Sequence, residues 1–155
     1  MTTFLIIFSV LVFAGYTISI ALTYGVQTSI SASYKVIPQR KYLYSFFILG
    51  IAIPMMFLFN TFLGWLAGIL LAIDFVAPSS KITSKFQSFL HSFGAYAGII
   101  IGFTALYFKF GFWIPILIMA GFSLYATKHI KNSAWWNEVA AFILISLGLI
   151  IGYLT

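Results

Sequence analysis

Six apolar stretches, each close to the length of a membrane crossing, restrict this chain to very few folds. They run from about Phe4 to Leu22, Leu43 to Phe59, Thr61 to Ala77, Phe86 to Phe108, Phe110 to Thr127 and Trp135 to Leu154. A helix needs about 20 residues to cross the roughly 30 Å hydrocarbon core. Lipid offers backbone N–H and C=O groups no partner, so the stretches are expected as helices. A membrane barrel would show segments of about ten residues with polar and apolar positions alternating, whereas Ala141 to Ile151 is almost continuously apolar. The expected fold is all-α: a single domain over residues 1–155, an integral membrane bundle of six transmembrane helices. With 63% hydrophobic and 6% charged residues, the 155 positions leave no length for a soluble domain.

The charges orient this bundle. With the N-terminus outside, Lys35, Arg40 and Lys41 fall in the first loop, Lys81 and Lys85 in the third, and Lys128 and Lys131 in the fifth, all on the cytoplasmic side; only Lys109 falls opposite. This positive-inside asymmetry predicts an even number of crossings and both termini non-cytoplasmic. The net charge of +6 is therefore read as a topology signal, and since it forms no basic stripe or recognisable module, no nucleic-acid partner is expected. Met1-Thr2-Thr3 lacks the basic start of a secretory signal, so the first stretch is expected to persist as a helix.

Connections as short as Asn60, and the turn around Lys109, Phe110 and Gly111, force antiparallel neighbours. Pro54 and Pro115 mark places where a kink or local break is expected. Gly64 and Gly68, then Gly94, Gly98 and Gly102, then Gly148 and Gly152 place small residues four apart, a spacing that lets helices approach closely in lipid. These faces are expected to pack within the chain, with a homo-oligomer or another membrane protein as the alternative partner. Trp135 and Trp136, at a helix start, are expected in the interfacial aromatic belt. Phe13-Ala14-Gly15-Tyr16 against Phe93-Gly94-Ala95-Tyr96 is the one hint of an inverted repeat.

No cysteine is present, which removes disulfides, thiolate metal sites and a cysteine nucleophile. Ser29 to Ser33 lack a Gly-x-Ser-x-Gly elbow, and neither a phosphate-binding glycine loop nor a His-Glu-x-x-His pair occurs. What remains is Asp74 and Glu138, the only acidic residues, placed inside or at the edge of apolar stretches. Ionisable groups at such positions usually face the protein interior and are often functional. With the topology above, Asp74, His91 and Glu138 lie at one depth, about a turn from the cytoplasmic ends of the third, fourth and sixth helices. At about 100° per residue, His91 projects near the Gly94–Gly98–Gly102 face. Gln27, Ser29, Ser31, Ser33, Tyr34 and Lys85 fall on the same side, completing a polar pocket.

Several chemistries suit these residue types: a divalent metal on His91, Asp74 and Glu138, an acid/base pair for hydrolysis, or a proton relay or lipid-headgroup site. The structural alternative pairs the two carboxylates with Lys85, His91 or Lys131 to lock the end of the bundle. His129, between Lys128 and Lys131, reads as a solvated or headgroup-facing residue.

The run Gly25 to Tyr34, then Leu66-Ala67-Gly68 leading to Ala77-Pro78 and His91, and finally Trp136-Asn137-Glu138, resembles small membrane proteins of Bacteroidetes and their phages, and more distantly the six-helix Frag1/DRAM/Sfk1-like and DUF998 groups. The resemblance implies a six-helix bundle and no established chemistry. A weaker likeness to alkaline-ceramidase and progestin-receptor-like hydrolases implies zinc held by three histidines, but this chain has only His91 and His129, on different segments. The expected protein is thus a polytopic protein of a bacterial inner membrane or a viral membrane, in contact with membrane lipid. It is expected to bind a lipid, small polar ligand or membrane partner at Asp74, His91, Glu138, Ser29, Ser31 and Gln27. A metal-assisted intramembrane hydrolase and a phage lysis or membrane-permeabilising protein are the alternatives.

Overall fold

The computed structural model describes residues 1–37, 41–73 and 85–155, with the backbone alone at positions 34, 35, 41, 85–88, 90 and 91. The described residues form six helices and one 3₁₀ turn: α1 (Thr2–Tyr24), the turn (Ser31–Lys35), α2 (Lys41–Phe59), α3 (Phe62–Ile73), α4 (Lys85–Phe110), α5 (Ile114–His129) and α6 (Ser133–Leu154). Helices α1, α2, α4 and α6 are each long and apolar enough to cross a membrane; α3 is apolar but shorter.

The helix boundaries follow from local backbone chemistry. α1 stops at Gly25 (φ 77°) and α4 at Gly111 (φ 73°), left-handed positions that glycine occupies without a Cβ penalty. Asn60 (φ 46°), after α2, and Asn132 (φ 58°), before α6, use the other residue type that tolerates this region. Pro115 lies in the first turn of α5, where its missing N–H costs no intrahelical bond, so it starts a helix rather than kinking one. Pro54 stands inside α2, which continues to Phe59. Ser9 and Thr17, buried in α1, donate to the carbonyls of Leu5 and Phe13 in their own helix, which allows a hydroxyl in an apolar environment.

Close packing concentrates where glycines remove side chains. A methyl group at Gly50 would come 2.9 Å from Val12 on α1, and one at Gly68 would come 2.9 Å from the Ala52 carbonyl on α2. Gly98 receives Leu71 of α3. Along α4 and α6, Gly102 meets Ile145, Gly148 meets Leu106 and Gly152 meets Phe110, so the two helices run parallel in a constant register. The glycine faces described here therefore pack within the chain. α1 and α2, α2 and α3, and α3 and α4 pack as successive neighbours. α5 packs on α6, and Ala126 is its only buried residue.

One charge stands apart, at the end of the bundle where α2, α4 and α6 finish. Lys109 Nζ donates to the carbonyls of Leu58 (2.7 Å) and Phe59 (2.8 Å) and to the Tyr153 hydroxyl (2.8 Å), which itself donates to Leu58. The ammonium thus caps the last carbonyls of α2, which have no partner within their own helix.

Candidate functional site

The opposite end of the bundle is built by the segment between α1 and α2. Gln27 folds back to donate from its amide to the carbonyls of Tyr24 and Gly25, closing the end of α1. Ser29 Oγ accepts the Ala32 N–H at 2.9 Å and bonds the Ser31 hydroxyl, capping the 3₁₀ turn. Ser33, fully buried, donates to the Ile30 carbonyl and bonds the Tyr16 hydroxyl at 2.7 Å. Tyr16 in turn stacks on Phe47 of α2, with ring centroids 4.2 Å apart. Polar side chains that looked like pocket lining in the sequence are in large part consumed by the turn itself.

The start of α6 then holds this turn in place. Glu138 Oε2 accepts the Ile30 N–H at 2.5 Å and the Ser31 N–H at 3.3 Å. The Trp135 N–H donates to the Thr28 carbonyl (3.2 Å), and the Asn132 side chain donates to the Val26 carbonyl (2.8 Å). Three residues of α6 and its N-terminal link thus bond a segment more than a hundred positions earlier in the chain. A carboxylate taking two consecutive backbone N–H groups is a charge-assisted arrangement, stronger than neutral bonds of equal length. Trp135 is 2% exposed and Trp136 40% exposed. The pair is therefore split: Trp136 stays on the surface, while Trp135 leaves the expected interfacial belt because its backbone is tied to the first loop.

Below the turn lies a partly open cavity of about 100 Å³ lined by α1, α2, α3, α4 and α6, with no residue from α5. Ser31, Tyr44 and Glu138 line one end; Ile6, Leu58 and Leu149 line the other. Ser9 and Ser146 are the further hydroxyls on an otherwise apolar wall. By the usual allowance for a water, this volume holds roughly seven to ten water-sized groups. An apolar chamber of this size is energetically suited to an apolar guest, because water inside it would find few partners.

The anticipated site residues are distributed as follows. Glu138 and Ser31 meet at the cavity, and Ser29 and Gln27 serve the adjoining turn. Asp74 lies outside the described residues, and His91 belongs to α4 by its backbone. Among the described residues no three of His, Asp and Glu gather in metal-binding geometry. The expected metal trio, which includes Asp74, extends beyond that set. His129 is exposed and rests against the Tyr125 ring. The suspected repeat has no counterpart in burial: Phe13 is in the core, whereas Phe93 is 48% exposed.

Sequence reasoning missed the cavity. Beyond Glu138 and Ser31 at its polar end, the sequence signals for it are Ser9 and Ser146, isolated hydroxyls in apolar helices. No protein-family model, curated protein or solved structure matches this chain.

Proposed function

We propose that this chain is a six-span membrane protein, with its basic loops on the cytoplasmic side, that holds a lipid-like amphipathic ligand in the chamber between α1, α2, α3, α4 and α6. The observation that carries the proposal is the chamber's polarity: one end presents Ser31, Tyr44 and the Glu138 carboxylate, and the other is dominated by Ile6, Leu58 and Leu149. An amphiphile matches such a gradient, because its chain replaces missing van der Waals contacts while its polar part stays beside groups that hydrogen bond. The Glu138 end coincides with the loop that carries Lys128 and Lys131, so the polar part sits at the cytoplasmic headgroup level. The four long apolar helices support residence in a cell membrane.

Native mass spectrometry of protein released gently from membranes tests this reading. Wild-type protein is expected to retain one lipid, and Ser146→Phe, which fills the chamber, to lose it. Leu147→Phe, on the exposed face next to it, is expected to keep it. Equal occupancy in the two variants, or none in wild type, refutes the proposal.

A further inference from the structure

The seams around the chamber are unequal, and the weakest identifies both a guest and its way in. α1 to α4 follow one another as packed neighbours, and α4 and α6 are zipped by Gly102, Gly148 and Gly152 against Ile145, Leu106 and Phe110. Among the described residues, the remaining side of the ring is the pairing of α6 with α1. There the helices meet through Phe13 stacked on Phe142, centroids 3.8 Å apart and planes within 5°. No glycine interlock joins this pair, and Ser9, which lines the chamber beside the stack, spends its hydroxyl on its own helix.

Two further observations point sideways rather than endways. At the Glu138 end, Ile30 is 3% exposed and lines the chamber, and the bonds from Glu138, Trp135 and Asn132 hold its segment down like a stopper. By contrast, the outward faces of the two helices that meet at this seam are exposed hydrocarbon: Ile7 and Leu11 on α1, Ile143 and Leu147 on α6. From Glu138 to Leu149 the chamber follows twelve residues of α6, about 16 Å at the helical rise. That length is about half of the roughly 30 Å hydrocarbon core, the depth of one leaflet.

Resting on the proposed lipid-binding reading, we infer that the chamber takes a single hydrocarbon chain, which enters from the bilayer between α1 and α6 past the Phe13–Phe142 stack. The chain lies along α6 with its free end toward Leu58 and Leu149. The stack acts as a latch, since two rings separate more easily than a helix pair interlocked through glycine.

The test uses full-length protein in phosphatidylcholine vesicles and two probes with a diazirine at the chain end: a free fatty acid and a phosphatidylcholine. Photolysis and peptide mapping are expected to place label from at least one probe on Met55, Leu58 or Leu149, and the probe that labels identifies the source of the chain. Phe142→Ala and the milder Phe13→Leu are expected to raise the labelling rate about two- to tenfold, the range an aromatic pair contributes. Interior labelling at a rate unchanged in both, but raised in Glu138→Gln, overturns the sideways route and leaves the lipid-binding reading standing. Label confined to outward residues such as Leu147 and Ile151 overturns both.

Discussion

Replacing Glu138 separates a structural carboxylate from one that merely lines a chamber. In Glu138→Leu the Ile30 and Ser31 N–H groups lose their acceptor while the turn around them stays packed. Each unpaired buried donor costs about 1–3 kcal/mol. Glu138 and Ser31 are only half-buried, so the lower part of that range applies, and the pair should cost about 3 kcal/mol in total. Glu138→Gln keeps a carbonyl acceptor but removes the charge, and neutral bonds of this kind are about half as strong, so the loss should be about 1 kcal/mol. Equilibrium unfolding in mixed micelles gives the totals, and amide hydrogen exchange at Ile30 and Ser31 shows whether the loss is local. If Leu and Gln destabilise equally, or if both amides remain protected in the Leu variant, the carboxylate does not hold the turn.

At the other end, Lys109→Met leaves the Leu58 and Phe59 carbonyls and the Tyr153 hydroxyl without their cationic donor, and should cost about 2–3 kcal/mol, whereas exposed Lys128→Met should leave the unfolding midpoint unchanged. Gly148→Ala drives a methyl into Leu106 and should lose about 1–3 kcal/mol by the same assay. Gly121→Ala, with nothing within 4 Å, should gain about 0.5–1 kcal/mol from helix propensity. Trp135→Ala should lose about 3–5 kcal/mol by the same assay, since the side chain fills the core while the backbone N–H that bonds the Thr28 carbonyl is kept.

The division into six helices was legible because continuous apolar runs broken at Asn60 and around Lys109, Phe110 and Gly111 admit little else. The glycine faces were equally legible, since spacing by four needs no tertiary knowledge. The chamber was not, for a reason visible in neighbours: Ile6 is 8% exposed and lines the cavity, while Ile7 is 54% exposed. In lipid both sides of a helix are apolar, so hydropathy cannot distinguish a wall facing a void from one facing the bilayer. Glu138 drew notice as a scarce charge, yet the Ile30 and Ser31 N–H groups it accepts carry no sequence signature. Lys109 read as an exception to the charge asymmetry; the structure gives it three acceptors.

The bonds from Asn132, Trp135 and Glu138 to the segment after α1 have a consequence for biogenesis. Each pair of partners is separated by 106 to 108 positions. At about 5–20 residues per second, a ribosome needs roughly 5–20 s between making one side and the other. Throughout that interval the nascent first loop has no anchor, and the ring has four walls and an open flank. The chamber is therefore completed only after α6 has been made. A chain stopped before α6 would present its half-built interior to the lipid and to whatever quality-control machinery surveys the membrane.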